Sequence, residues 1–499
     1  CGRRRAWHAA LGILGDLWRE GLTPNLITYN AVINACAQAG RWQESIQVLE
    51  QQWEASIMPD VISYNSTMSA CAKGKQWQRA MLLQVGMREA GITPSAITIS
   101  TAISACEKGH QWQRSLLLLS EARSGLLPPS VTAYSAAISA CEKGQQWAHA
   151  LHLLDEADLC GVSPNIVTFS AAISACEKGQ QWLHALQLLD GVWRAGITLQ
   201  VITYSAAISA CEKGQQWEHS LHLLRRLPAV RLQPNVITYS AAVSACEKGG
   251  QWQHALALLG SMHQLRTTPN VISLSAGVSA CEKGGQWERA LALFSSMPEL
   301  SIMPDVISCS ALVSAFEKGG QWQRALECFS SMPRLRITPN IVSCNAALSA
   351  CEKRGRWEQA LALLTYVPRL GILPDTISCS AAISACEKEG QWQHALALFT
   401  SMPQRQIAPD VFSCSAAVSA CERVGHWQRA LALYCSMAPL CITPNVVIGS
   451  AAMTACEKGG QWRLTVALFH SMTDLRITPD LISCNAVVNA CEKGGQWQR

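Results

Sequence analysis

The stretch Val201-Ile-Thr-Tyr-Ser-Ala-Ala-Ile-Ser-Ala-Cys-Glu-Lys-Gly-Gln-Gln-Trp217 recurs, with small changes, from one end of the chain to the other. Tryptophan is its ruler: Trp7, Trp42, Trp77, Trp112 and their successors to Trp497 are spaced by 35 residues, with no insertion or deletion. A fixed period in this range marks a solenoid, in which each unit buries its apolar face only against its neighbours. Within the stretch, Val201, Tyr204, Ile208 and Cys211 follow helical spacing. In the next unit, Trp252, Ala255, Leu256 and Leu259 form a second stripe at i, i+3, i+4 and i+7. Each unit therefore reads as a hairpin of two short helices.

The punctuation between helices agrees. Asn235, Asp305 and Ser130 stand where the first helix starts and are good N-caps. Pro234, Pro304 and Pro129 precede them, with Leu199 the exception among such positions. Gly214, or the pair Gly249-Gly250, is expected to end the first helix. Pro228, Pro298, Pro333, Pro368 and Pro403 are expected to stop or kink the second helix about a turn early. Counted from Leu26, thirteen complete units span 26–480, flanked by partial units over 1–25 and 481–499. The fold expected is an all-α superhelical solenoid. The chain starts at Cys1 and stops at Arg499, both inside a unit, which reads as a piece of a longer protein.

Bulk composition excludes little but narrows the reading. The formal net charge of +5 is mild for 499 residues and does not by itself announce a nucleic-acid partner. No apolar run approaches the roughly 20 residues that span a bilayer. Of the 23 cysteines, the largest group shares one repeat position, Cys36, Cys71, Cys106 and onward to Cys491, where Phe316 replaces one. Cys309, Cys344, Cys379, Cys414 and Cys484 share another with Tyr29, Tyr64, Tyr204 and Tyr239. Exchange with Phe and Tyr is what a buried packing position tolerates. Equivalent helices of adjacent units lie about 8–10 Å apart, beyond the roughly 7 Å Cα limit for a disulfide. With no Cys-x-x-Cys pair for zinc, the cysteines read as structural thiols of a reducing compartment.

The 35-residue unit resembles the pentatricopeptide repeat family, whose consensus has the form V-V-T-Y-N-x-L-I-x-x-x-x-K-x-G-x-x-x-x-A-L-x-L-F-x-x-M and closes on G-I-x-P-D. Leu26-Ile-Thr-Tyr-Asn30 through Gly40, Ile57 and Pro59-Asp60 fits it without a gap. So does Asn235-Val-Ile-Thr-Tyr-Ser240 through Lys248, Ala255-Leu256, Leu258-Leu259, Met262 and Pro269-Asn270. The resemblance covers essentially the whole chain. It implies a right-handed superhelix that binds single-stranded RNA, one base per repeat, read by two or three side chains.

In that family the readers are the fifth and last residues of a repeat. Here the resemblance makes these pairs Asn30 with Asp60, Asn65 with Ser95, Ser100 with Ser130, Ser135 with Asn165, Ser170 with Gln200, Ser205 with Asn235 and Ser240 with Asn270. They continue as Ser275 with Asp305, Ser310 with Asn340, Asn345 with Asp375, Ser380 with Asp410, Ser415 with Asn445 and Ser450 with Asp480. Capping alone explains neither Gln200, a poor cap, nor Ser and Asn inside a helix. The family code implies U for Asn–Asp, C for Asn65–Ser95, A for Ser–Asn and G for Ser–Asp. Ser100–Ser130 and Ser170–Gln200 have no assignment. In parallel orientation the target is 5′-U-C-N-A-N-A-A-G-A-U-G-A-G.

Two further columns have a functional and a structural reading. The second residues Ile27, Ile62, Ile97, Val167, Ile202, Ile237, Ile272, Ile307, Val342, Ile377 and Val447 would wedge between bases, as the family's do, or pack between hairpins; Thr132 and Phe412 depart from the pattern. The thirteenth residues Lys73, Lys108, Lys143, Lys178, Lys213, Lys248, Lys283, Lys318, Lys353, Lys388, Arg423 and Lys458 would contact phosphates, or would be cations favoured at helix C-termini.

No catalytic constellation is apparent. The H-x-E and P-C-x-x-C of a cytidine deaminase, carried by some relatives, are absent from the sequence. His149, His184, His219, His254 and His394 share one repeat position and read as a solvated face, not a metal site. The expectation is a non-enzymatic, monomeric RNA binder without cofactor or metal, of chloroplast or mitochondrion, acting in transcript stabilisation, processing, editing or translation. The rival is a protein-binding helical scaffold.

Overall fold

The structure, a computed structural model, describes residues 6–124, 129–194, 196–197, 200–265, 267–439, 442–474 and 477–495. Cys1, Leu199 and Trp497 lie outside them. Contacts group the chain into two compact units, Cys1–Gly249 and Gly250–Arg499. Among the described residues there are 28 α-helices and no strand.

In the first unit, the repeat that begins at Val201 shows the rule. Its first helix runs Val201–Lys213 and its second Trp217–Arg226. Tyr204, Ala207, Ile208, Ala210 and Cys211 of the first helix are buried, as are Leu221 and Leu224 of the second. Within each unit, the first helices of successive repeats pack side by side, and each second helix packs against the first helices of its own repeat and of the next. The second unit repeats this plan, as in Val306–Lys318 and Trp322–Ser331. Phe316 there is 2% exposed in the place of a cysteine. Burial pushes the Cys211 thiol up to about 12 and the Cys141 thiol up to about 11, so both stay protonated and inert at neutral pH. The described cysteines are free thiols.

The prolines divide. Second helices end early, at Arg226, Ser331 and Tyr366, before Pro228, Pro333 and Pro368. Against expectation, Trp287–Glu299 and Trp392–Gln404 run through Pro298 and Pro403. Each of these prolines is the penultimate residue of its helix. Its missing N–H removes one bond from the last turn, where fraying already makes that bond weak.

The turn between the helices also differs from its expected form. Gly214 caps the first helix with φ −80°, while the left-handed position falls on the next residue, Gln215, at φ 58°. Gln145 and Gln180 adopt the same conformation, and Gly250, Gly285 and Gly320 occupy that position in the second unit. Gly214 is small for another reason: a Cβ there would overlap Trp182 Cδ1 of the preceding repeat. A left-handed L-residue costs about 1–2 kcal/mol, and glycine's extra unfolded-state entropy returns about 0.5–1 kcal/mol of that. Changing Gln145, Gln180 and Gln215 together to Gly is therefore expected to stabilise the first unit by about 2 kcal/mol. A thermal midpoint that does not rise would refute the strain argument.

Candidate nucleic-acid interface

The last residue of a repeat is the N-cap of the next first helix, and its cap bond decides what it has left to offer. Asn165 Oδ1 accepts the Thr168 N–H at 2.9 Å, and Asn340 Oδ1 accepts that of Ser343 at 2.9 Å. With its oxygen held inward by the helix end, the amide of such a cap turns Nδ2 outward as a donor. Asn235, Asn270 and Asn445 cap the same way. Asp60, Asp305, Asp375, Asp410 and Asp480 cap through Oδ1 and keep a second carboxylate oxygen as acceptor. Burial raises the Asp60 carboxyl pKa, but the Ser63 N–H and hydroxyl and the Asn30 amide outweigh it and hold the group below the usual carboxylate range. Ser95 and Ser130 cap through their hydroxyls, and Gln200 makes no cap bond.

The fifth residue lies inside the first helix. Its serine hydroxyl donates to the backbone carbonyl four residues earlier, as in Ser170 to Ile166 at 2.7 Å, and Ser135, Ser205, Ser240 and Ser380 do likewise. A hydroxyl so engaged keeps its lone pairs as acceptors.

The fold brings most of these pairs together across about one repeat. Asn30 Nδ2 donates to Asp60 Oδ1 at 3.1 Å and Asn345 Nδ2 to Asp375 Oδ2 at 3.1 Å. Ser275 reaches Asp305 at 3.1 Å, Ser310 reaches Asn340 at 3.2 Å and Ser380 reaches Asp410 at 3.3 Å. Ser100 and Ser130 are 3.0 Å apart. Ser135 and Asn165, and Ser205 and Asn235, are joined instead through the hydroxyls of Thr168 and Thr238. Asn65 Oδ1 is buried without a partner, and Ser170 bonds Thr203 rather than Gln200. No hydrogen bond joins Ser415 to Asn445 or Ser450 to Asp480 among the described residues.

Sequence reasoning missed the third residue of the repeat. It is Thr or Ser in every complete unit except at Ala133 and Ile448, a regularity visible in the sequence but masked by the resemblance of Thr and Ser to ordinary helix-start residues.

The second-residue column is not core. From Ile27 to Val447 its apolar members are 56–76% exposed, and Phe412 is 77% exposed. Ile377 and Phe412 flank Ser380, Asp410 and Ser415 in one cleft. Leaving a branched aliphatic side chain in water forgoes about 1.5–3 kcal/mol of burial. A column that repeats this points to a partner with apolar faces.

The thirteenth-residue cations are mostly paired. Lys143, Lys178, Lys213 and Lys248 meet Glu107, Glu142, Glu177 and Glu212 of the preceding repeat at 2.8–3.1 Å. Lys318, Lys353, Lys388, Arg423 and Lys458 repeat this with Glu282, Glu317, Glu352, Glu387 and Glu422. Lys73 and Lys108 differ, because Ala37 and Ala72 stand where that glutamate would be. They have no ion pair among the described residues. The histidine column is not simply a solvated face: His149, His184 and His219 lie over Trp112, Trp147 and Trp182 with ring centroids 5.3–5.5 Å apart. Arg114 and Arg289 take the same place over Trp77 and Trp252. Among the described residues, no cluster of three His, Cys, Asp or Glu is arranged to hold a metal.

Stacked hairpins with a repeated polar pair beside an exposed apolar column define an α-solenoid of helical-hairpin repeats. The profile of the pentatricopeptide repeat domain matches residues 3–41, 12–74, 47–108, 187–251, 223–283 and 292–354. The PPR repeat family profile matches 374–423, and the PPR repeat profile matches 278–302 and 342–372. The chain belongs to the pentatricopeptide repeat family. Among solved structures, the crystal structure of the pentatricopeptide repeat protein PPR10 from maize is similar at 18% identity with a TM-score of 0.58, over 99% of this chain and 80% of that one. PPR10 in complex with an 18-nt psaJ RNA element is similar at 17% identity and a TM-score of 0.50, over 97% of this chain and 85% of that one. At these identities the likeness is one of fold. No curated protein matches the chain.

Proposed function

We propose that this protein binds single-stranded RNA, one base per repeat, in the transcript metabolism of a chloroplast or mitochondrion. The observation that carries the reading is the polarity left free by each pair. An Asn–Asp pair such as Asn345–Asp375 keeps one amide N–H and one carboxylate oxygen, complementary to a uracil carbonyl and its N3–H. A Ser–Asn pair such as Ser310–Asn340 keeps an acceptor hydroxyl and an outward Nδ2, complementary to N6–H and N1 of adenine. A Ser–Asp pair such as Ser275–Asp305 offers only acceptors, which suits N1–H and N2–H of guanine. Capping and reading are thus one arrangement, since the cap bond orients the reader. The exposed second residues supply apolar faces between which bases stack, and RNA bound by PPR10 makes the same class of ligand the first to test here.

Of the thirteenth-residue cations, Lys73 and Lys108 have no glutamate partner among the described residues to give up before meeting a phosphate. In a titration against 5′-U-C-N-A-N-A-A-G-A-U-G-A-G and a scrambled control at two salt concentrations, the full chain is expected to prefer the designed RNA. Loss of two single-strand phosphate contacts reduces the salt slope by about 1.4. The double change Lys73→Ala, Lys108→Ala is therefore expected to show that reduction, and Lys213→Ala, Lys248→Ala a smaller one. Equal binding of both RNAs would leave a backbone binder without base reading. Binding of neither would remove RNA as the ligand and favour the protein-binding scaffold.

A further inference from the structure

The inference that follows rests on the base-reading function and deepens it. We propose that the third residue of a repeat is a positioning residue for base selection: its hydroxyl fixes which atoms the preceding repeat's fifth residue turns toward the base.

The neighbours of that hydroxyl support this. Ser63 Oγ donates to Asn30 Oδ1 at 2.6 Å, and Ser378 Oγ to Asn345 Oδ1 at 2.5 Å, each across 33 residues. The same hydroxyls lie 2.9 Å from Asp60 Oδ1 and Asp375 Oδ1. The amide of the reader is therefore gripped at its oxygen by the hydroxyl and at its nitrogen by the carboxylate. Only one N–H remains to face a base. Thr168, Thr203 and Thr238 make the equivalent contact to Ser135, Ser170 and Ser205 at 2.7–2.9 Å. In each case the third residue spans the boundary between two repeats, so it acts through the reader without lying at the base edge itself.

The chain carries its own contrast. At Asn65, the Thr98 hydroxyl is occupied by Ser95, at 3.0 Å from its hydroxyl and 3.1 Å from its N–H. Asn65 Oδ1 is left buried and unpartnered. No hydroxyl then fixes which way the amide faces, and that repeat selects its base less sharply. Where a third-position serine follows a serine reader, as at Ser308, the hydroxyl donates to the backbone carbonyl of Asp305 at 2.9 Å, and Ser275 reaches the carboxylate directly at 3.1 Å. Among the described residues, the grip is made where serine follows the asparagine readers Asn30 and Asn345 and where threonine follows the serine readers Ser135, Ser170 and Ser205.

The test uses the full chain and the 13-nucleotide RNA with U or C at the tenth base, opposite Asn345–Asp375, and C or U at the second, opposite Asn65–Ser95. The wild type is expected to prefer U at the tenth base by about tenfold, within the range of one good base contact, and to separate the second-base pair by less than about threefold. Ser378→Ala is expected to bring the tenth-base ratio below about threefold, and Ser378→Thr, which recreates the pairing of Asn65 with Thr98, to lower it as well. Affinity for an RNA abasic at the tenth position should not change, which separates positioning from folding. A Ser378→Ala variant that keeps the wild-type ratio, or that weakens the U, C and abasic RNAs alike, overturns the positioning role while leaving base reading intact. A wild type indifferent to the tenth base overturns base reading, and the positioning role with it.

Discussion

Trp182→Ala is expected to destabilise the first unit by about 3 kcal/mol, near the lower end for loss of a large aromatic side chain because the ring is only half-buried. The ring lies against the backbone of Gly214 and within 5.4 Å, centroid to centroid, of the His219 ring, both in the following repeat. In a solenoid this nearest-neighbour interface is a large share of what holds one hairpin on the next. The reciprocal change Gly214→Ala pushes a methyl into the ring and is expected to cost about 1–3 kcal/mol. It is the smaller effect because the tryptophan has room to tilt. Trp357 shows that room: Glu389 stands in the glycine's place beside it, and its ring lies 22° from the His394 plane, against 40–48° for Trp112, Trp147 and Trp182 with their histidines. Urea unfolding with amide exchange localised to 166–249 checks both. An unchanged midpoint and unchanged exchange in Trp182→Ala would mean the ring contributes nothing to stacking.

Asn340→Asp is expected to invert the base preference at the ninth position of the RNA from A to G. The cap bond survives, because Asp at this place accepts the same helix N–H, as Asp305 and Asp410 do at 2.8 Å. What changes is the outward atom, from an Nδ2 donor to a carboxylate acceptor. One good contact is worth about 1–3 kcal/mol, and the substitution removes one and creates another, so the A-to-G ratio should swing by at least about 25-fold. Competition binding with the two 13-mers measures it. Unchanged affinity for both RNAs, with the preference for A retained, would show that Asn340 only caps and would place the reader elsewhere.

Much of the fold is legible in the sequence because the forces that set it are local. Helix starts follow from Asn235 or Asp305 bonding an N–H three residues on, and the buried face follows from Tyr204, Ile208 and Cys211 at helical spacing. The 35-residue ruler then makes one hairpin a description of all. Local reasoning failed where two local terms compete: Pro298 and Pro403 stay helical because the last turn has little left to lose.

The candidate site divides along the same line. Helical hairpins, the N-caps and the columns of second, fifth and thirteenth residues were determined by the sequence alone, through interactions within four residues and an unbroken period. The tertiary structure decided everything that spans 30–36 residues. It put Ser63 on Asn30, Trp182 on Gly214 and a glutamate on Lys143. It also left Ile202 in solvent while burying Ile208. Those outcomes depend on the offset with which one hairpin stacks on the next, a sum of many side-chain contacts that no single stretch of sequence contains.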